Sequence, residues 1–225
     1  MEFFLDTVNV EKIKRYNEIY NITGVTSNPT ILSREQCEFF PTLINIRKVI
    51  GNKQLHVQVT GKTCEEMLKE AEAIVNCIDK NVYIKVPTNE EGIKTMKALK
   101  ENGYNVTATI VYTLQQAIMA ASVGADYVAP YFNRMSENNY NALEEIAEMA
   151  KIFKMCNKPT KLLVASFRNT NQIMKVLLSG ATAVTAAPEF YSMMFENPSV
   201  DSIINRFDAD WNRIYGTKRI YEMKP

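Results

Sequence analysis

The chain of 225 residues is short of histidine, of glycine and of any excess charge. It has 26 basic and 25 acidic residues, a formal net charge of +1, and no long block of one sign. Nucleic acid and anionic membrane surfaces are held by cationic faces, so neither is expected as a partner. No apolar run approaches the roughly 18 residues of a membrane span, and Met1-Glu2-Phe3-Phe4 lacks the basic start and apolar stretch of a secretory leader. The four cysteines, Cys37, Cys64, Cys77 and Cys156, are widely spaced with no C-x-x-C pair, and they read as reduced packing residues. These absences together predict a cytoplasmic protein. None of the eight glycines forms a G-x-G-x-x-G after a strand, so a dinucleotide fold lacks its signature.

The chain does contain an alternation of short β-type runs with longer amphipathic stretches. The runs are 3–6, 24–26, 55–59, 82–86, 106–110, 127–130, 162–166 and 183–186. Between them helical spacing is expected over 11–20, 41–50, 65–78, 90–102, 114–122, 141–156 and 170–179; in 65–78, for example, Met67, Leu68, Ala71, Ile74 and Val75 share a face. Strand followed by helix, repeated around one chain, predicts a single (β/α)8 TIM barrel. No Pro/Gly/Ser-rich linker divides it, so residues 1–216 are expected as one domain that includes a further C-terminal helix. That helix begins at Asn197-Pro198-Ser199, a cap followed by proline in the first turn, and ends at Gly216. Val200, Ile203, Ile204, Phe207, Trp211, Ile214 and Tyr215 form one apolar stripe along it, and such a stripe needs a surface to bury against. Residues 217–225 read as a polar, basic, mobile tail.

In a parallel barrel, chemistry gathers at the C-terminal tips of the strands. Here the expected tips carry Asp6, Thr26 with Asn28 just beyond, Gln58, Lys85, Thr109, Tyr131, Ser166 and Thr185. The set holds an amine, a carboxylate, a phenol, hydroxyls and amides, but no imidazole or thiol and too few carboxylates for a metal. His56 lies two residues before Gln58 on the same strand face, which places it deeper, as a hydrogen-bonded core histidine. No metal and no organic cofactor is therefore expected.

Lys85 is the sharpest feature. In Asn81-Val82-Tyr83-Ile84-Lys85-Val86-Pro87 a lysine interrupts an otherwise apolar strand, with Pro87 expected to end the ladder just beyond it. An amine among apolar neighbours loses hydration, its pKa falls, and as the free base it can attack a carbonyl. The bland alternative is a lysine reaching from a strand end to solvent. The iminium formed on a ketone is an electron sink that lets a neighbouring C–C bond break or form. Asp6 and Tyr131 could move the protons, directly or through a water held by Gln58 and Thr109. Alone, Asp6 could instead cap a helix starting near Thr7, and Tyr131 could be a wall residue with its hydroxyl satisfied. Arg134, and Ser166-Phe167-Arg168 after the seventh strand, are expected on loops at the same mouth, where two arginines and a hydroxyl can grip a phosphate.

Read in order, these motifs resemble the transaldolase family. Phe3-Phe4-Leu5-Asp6-Thr7 and Gly24-Val25-Thr26-Ser27-Asn28-Pro29 are similar to its first two strands, and Ile84-Lys85-Val86-Pro87 to its Schiff-base lysine strand. Tyr127-Val128-Ala129-Pro130-Tyr131-Phe132-Asn133-Arg134 resembles its sixth strand, Ala165-Ser166-Phe167-Arg168 its phosphate loop, and the likeness extends through Asp210-Trp211. The resemblance implies Lys85, Asp6, Tyr131, Gln58 and Thr109 as catalytic residues. It implies Thr26, Asn28, Ala129, Arg134, Ser166 and Arg168 as substrate-binding, with sugar phosphates as the ligands. It also implies a homo-oligomer, a pentamer or decamer that uses the C-terminal helix. Within the family, transaldolases usually carry Glu where this chain has Gln58 and Phe where it has Tyr131, and the small fructose-6-phosphate aldolases resemble it at both. Arg168 fits the transaldolase form of the phosphate loop, where the aldolases often have Lys. The expected activity is cleavage of fructose 6-phosphate, with transaldolase as the alternative and a silent sugar-phosphate-binding barrel as a third possibility.

Overall fold

The computed structural model describes residues 1–223; the last two residues of the expected tail, Lys224 and Pro225, lie outside them. Its contacts divide into two compact units, Met1–Tyr191 and the segment from Ser192 onward.

The first unit is a closed barrel of parallel strands joined in the order β1 to β8. Along the chain come β1 (Glu2–Asp6), α1 (Val10–Ile19), β2 (Gly24–Thr26), α2 (Pro29–Glu35), α3 (Phe39–Ile50), β3 (Gln54–Gln58), α4 (Cys64–Cys77) and β4 (Tyr83–Pro87). Then follow α5 (Glu90–Glu101), β5 (Asn105–Val111), α6 (Leu114–Ser122), β6 (Tyr127–Pro130), α7 (Phe132–Glu137), α8 (Ala142–Met155), β7 (Lys161–Val164), α9 (Thr170–Leu178), β8 (Ala183–Ala186) and α10 (Pro188–Met193). The expected (β/α)8 barrel is present, with strand bounds mostly within one or two residues of the apolar runs. The helices α2, α7 and α10 were not expected. All three are short, and too short to show an amphipathic period.

The helix faces follow the apolar spacing. In α4, Met67, Ala71 and Ile74 are buried with Cys64 at its start, and Thr63 and Glu66 form a reciprocal capping box. Cys64 is indeed a buried packing residue and Cys37 is half-buried, but Cys77 and Cys156 are exposed. Asn9, not Asp6, caps α1, its side chain accepting the Lys12 N–H. Asp6 is thereby free for another role.

Inside the barrel the lower layer is aromatic. The His56 ring stacks on Tyr83 at 4.5 Å, with Phe4 at 5.0 Å and Tyr127 at 5.1 Å presenting edges to it. Burial holds this imidazole well below its usual pKa, hence neutral. Its Nε2–H donates to Gln54 Oε1 at 3.0 Å, and its Nδ1 accepts from Thr107 Oγ1 at 2.9 Å. The single histidine is a satisfied floor residue, as expected.

The second unit holds α11 (Pro198–Tyr215), capped by Asn197 and ended at Gly216, and a short 3-10 turn at Ile220–Glu222 within the expected tail. No residue of α11 is buried. Phe207 is 60% exposed and Ile214 67%. Among the described residues no helix is long and apolar enough to cross a membrane.

Gly92 limits how α5 meets β4. A Cβ there would fall 1.7 Å from the Pro87 carbonyl oxygen, two residues beyond Lys85. Alanine favours a helix over glycine by about 1 kcal/mol, but relieving this contact must move strand or helix, at a cost of about 1–3 kcal/mol or more. Gly92→Ala is expected to lower the thermal midpoint by several degrees; a rise in calorimetry would show that the helix shifts freely.

Candidate active site

At the C-terminal ends of the strands lies a cavity of about 520 Å³. Every site residue anticipated from the sequence lines it: Asp6, Thr26, Asn28, Gln58, Lys85, Thr109, Ala129, Tyr131, Arg134, Ser166 and Arg168, together with Thr185. Its wall also includes Arg34 and Phe190, which sequence reasoning missed. For Arg34 a signal existed. Asn28-Pro29 is the same cap-plus-proline start that marks α11, and a helix starting there holds Arg34 in its last turn.

Strand register sets the floor of the cavity. Gln58 and Lys85 are direct partners across β3 and β4, and Asp6 and Thr26 across β1 and β2. Lys85 is the middle residue of β4 rather than its tip, and Pro87 still pairs with Thr109. The amine therefore sits one layer inside the mouth and is only 5% exposed. It does not reach solvent. Its Nζ donates to the Ser27 carbonyl at 2.6 Å, which brings the β2 end against it. Burial pulls the amine below its ordinary pKa, and the charge of Asp6 opposes the fall. In Asp6 the balance runs the other way: burial raises the carboxyl, while Lys85, the Thr26 hydroxyl and Arg34 lower it. Thr26 Oγ1 donates to Asp6 at 2.7 Å, so the hydroxyl of Thr185, 2.6 Å from Thr26, donates in turn.

On the far wall Tyr131 Oη lies 3.0 Å from Thr109 Oγ1. Burial, the first cause, raises the phenol above its usual pKa, so it is protonated at neutral pH. Two donors of Thr88, its N–H at 3.0 Å and its hydroxyl at 2.9 Å, fix the Thr109 carbonyl. When the Thr109 hydroxyl also donates to Tyr131, the phenol proton is free for a guest. Gln58 Oε1 is buried with no hydrogen-bond partner among the described residues. Such an acceptor demands one, and a guest or a water in the cavity can supply it.

The backbone is bent to make these aims. Ile110, a β-branched residue, sits at φ +61°, where the register of β5 against β6 shifts. Ser166 sits at φ +67° just beyond β7, which ends at Val164 rather than at the expected Ser166. Arg134 stands on α7, not on a loop: the amides of Phe132 and Asn133 donate to the carbonyls of Ala165 and Ser166, both at 2.9 Å, and lock that helix to the β7 end. Gln172 Oε1 accepts the Arg168 N–H at 2.7 Å, so the second arginine is tied to the start of α9. The Arg134 guanidinium lies 5.5 Å over the Tyr131 ring, and Arg168 lies 3.5 Å from Glu137. Both are exposed at the rim. Among the described residues, no group of His, Cys, Asp or Glu is arranged to hold a metal ion.

A parallel barrel whose mouth combines a dehydrated lysine, a buried carboxyl, a protonated phenol and a cationic rim belongs with the aldol-type enzymes of carbohydrate metabolism. Residues 3–219 match the family described as Transaldolase/Fructose-6-phosphate aldolase, and the chain belongs to that family. It is 40% identical over 222 residues to a probable fructose-6-phosphate aldolase of Streptococcus pneumoniae, covering 98% of this chain and 100% of that one. It is 35% identical over 213 residues to a probable transaldolase of Geobacillus thermodenitrificans, covering 95% and 99%. A probable transaldolase of Lachnoclostridium phytofermentans is 33% identical over 217 residues, covering 96% and 100%.

The depressed pKa of Lys85 makes stability depend on pH. Between the folded-state value and the ordinary 10.5, the unfolded chain binds a proton that the folded chain does not. Stability contributed here is present above 10.5 and lost as pH falls through the folded value. Relative to Lys85→Met, wild type should gain stability as pH rises from 7 toward 10.5 in paired urea titrations. A constant gap would mean that the amine titrates in the fold as it does in water.

Proposed function

We propose that the chain is a class I aldolase that cleaves fructose 6-phosphate reversibly into dihydroxyacetone and glyceraldehyde 3-phosphate through a Schiff base on Lys85. The observation that carries the reading is a lysine buried to 5% exposure in a cavity that also presents a protonated phenol and, on the neighbouring strand, an unpartnered Gln58 oxygen. Lys85 Nζ adds to the C2 carbonyl and expels water, leaving an iminium. The C3–C4 bond breaks with its electron pair entering the iminium, while the C4 hydroxyl gives up its proton and leaves as the aldehyde. The resulting enamine takes a proton at C3, and water then frees the ketone and restores the amine. Asp6 and a water held by Gln58, Thr109 and Tyr131 carry the protons, and Arg134, Arg168 and Ser166 grip the phosphate. Asn28 Oδ1 is occupied by the Ile31 N–H at 3.0 Å, so its amide N–H₂ is left to hold a substrate hydroxyl, with Thr26 and Ala129 completing the wall.

Transaldolase is the second reading, favoured by the relatives of that name and by Arg168 in the phosphate loop. The two differ in the life of the enamine. A transferase must keep it unprotonated until an aldose arrives, and an aldolase protonates it. Gln58 cannot titrate, and Tyr131 offers a proton beside the adduct, and both support the aldolase reading. The exposed stripe of α11, including Phe207, Ile214 and Tyr215, supports assembly as a homo-oligomer in which copies cover one another's apolar faces.

Borohydride with dihydroxyacetone should add a three-carbon unit to the peptide containing Lys85, and Lys85→Met should abolish it; labelling elsewhere, or none, ends the Schiff-base reading. Tyr131→Phe should depress release of dihydroxyacetone from fructose 6-phosphate by about 10²–10⁴-fold. Combined with Gln58→Glu, it should raise transfer to erythrose 4-phosphate. If wild type already transfers faster than it cleaves and Tyr131→Phe alters neither rate, transaldolase is the right assignment.

A further inference from the structure

The backbone just after Thr109 is strained, and the phenol of Tyr131 depends on it. β5 and β6 pair Ala108 with Val128 and Val111 with Pro130, so two residues, Thr109 and Ile110, stand opposite the single Ala129. This is a β-bulge, and Ile110 accommodates it at φ +61°. A β-branched residue in the left-handed region persists only where its surroundings over-determine it. Tyr131 is held from both sides of the bulge. Its hydroxyl lies 3.0 Å from Thr109 Oγ1, its N–H donates to the Val111 carbonyl at 3.1 Å, and its ring lies 6.3 Å from that of Tyr112. A shift anywhere in 109–112 therefore moves the phenol.

A closed ring of hydrogen bonds holds that stretch. Before Ile110, the Thr109 carbonyl accepts both the Thr88 N–H at 3.0 Å and the Thr88 hydroxyl at 2.9 Å. After it, Gln116 Oε1 accepts the N–H groups of Tyr112 and Thr113 at 2.8 and 3.2 Å. Gln116 Nε2 donates to the Thr88 carbonyl at 3.3 Å and closes the ring. Part of this is ordinary helix capping, since Thr113 and Gln116 form the capping box of α6. A cap needs neither the Gln116 contact to Thr88 nor a second donor on the Thr109 carbonyl. Thr88 is buried and directly follows β4, so the ring ties the bulge to the strand that carries Lys85. We infer that Thr88, with Gln116 behind it, is a positioning residue for Tyr131: it holds the Thr109–Ile110 bulge against β4 so that the phenol meets the adduct carbon on Lys85. This rests on the Schiff-base reading above. The step it serves is protonation of the enamine: the C=C electron pair takes a proton from Tyr131 or the water it holds, the C=N⁺ bond of the iminium re-forms, and the oxygen left behind regains a proton from solvent. How much iminium is present at equilibrium does not depend on how fast that proton moves.

The test uses the purified full chain with dihydroxyacetone as probe. Exchange of its carbon-bound hydrogens with heavy water, followed by NMR, reports the proton step, and the equilibrium extent of borohydride labelling reports the iminium. Thr88→Val keeps the shape of the side chain and removes the hydroxyl. It should slow exchange by about tenfold or more while labelling of Lys85 stays at the wild-type extent, and Thr88→Ser should restore most of the rate. Gln116→Met cuts the same ring at another point and should slow exchange likewise. In a Tyr131→Phe background Thr88→Val should slow exchange no further, because the group it positions is gone. Losses that add in full to those of Tyr131→Phe, or a parallel fall of labelling and exchange, would overturn the inference and make Thr88 a residue of the fold alone. Exchange at the wild-type rate in both Thr88→Val and Gln116→Met would overturn it and leave the Schiff-base reading standing. Absence of labelling in wild type would overturn both.

Discussion

The dehydration of one amine is the constraint on which the site depends. Lys85 is buried because the ring of strands is closed and the lysine stands at the base of the cavity at its mouth, only 5% exposed. Removing an ammonium from water is costly, and the protein offsets part of that cost with the Ser27 carbonyl and the nearby charge of Asp6. Neither is enough to restore the ordinary pKa. The residual cost favours the neutral amine, the form that adds to carbonyls. Asp6 bears the converse burden, with its own burial only partly offset by Thr26, Lys85 and Arg34. Each group is strained by the barrel in the direction that suits proton transfer.

The surrounding polar groups are held by connections that do not involve the lysine. Thr185, Thr26 and Asp6 form a chain of hydroxyl donors ending on the carboxylate. On the other wall Thr88 fixes Thr109, which meets Tyr131. Gln58 is the exception: its buried, unpartnered oxygen keeps acceptor capacity in reserve where a guest must come. Strain is stored close by, at Ile110 and Ser166, both in the left-handed region without being glycine. These two residues end the straight course of β5 and β7 and open the wall through which Tyr131 and the arginines face inward.

Beneath the site the aromatic floor separates stability from chemistry. His56, the chain's one imidazole, is neutral, stacked on Tyr83 and bonded at both ring nitrogens. The family to which the chain belongs includes both cleaving and transferring enzymes, and most of this site is common to the two readings. The side chains on which the two readings differ are few: Gln58, Tyr131 and Arg168, all lining the same cavity.

The order of strands and helices, the polar strand ends and the lysine in an apolar strand were legible in the sequence, because periodicity and side-chain alternation are local properties of the chain. The cap of α11 was legible for the same reason. The short helices α2, α7 and α10 were not, since two turns carry too few apolar residues to show a period; Arg34 was missed with α2, and Arg134 was expected on a loop. Nor could local pattern place Asp6, whose role depended on Asn9 taking over the cap of α1. That Lys85 lies one layer inside the mouth, that Gln58 is its register partner, and that Arg34 stands across the ring from Arg134 and Arg168 depends on closure of the barrel. Closure brings together residues far apart in the chain at distances no local rule specifies, and it excludes the water on which the pKa of the lysine depends.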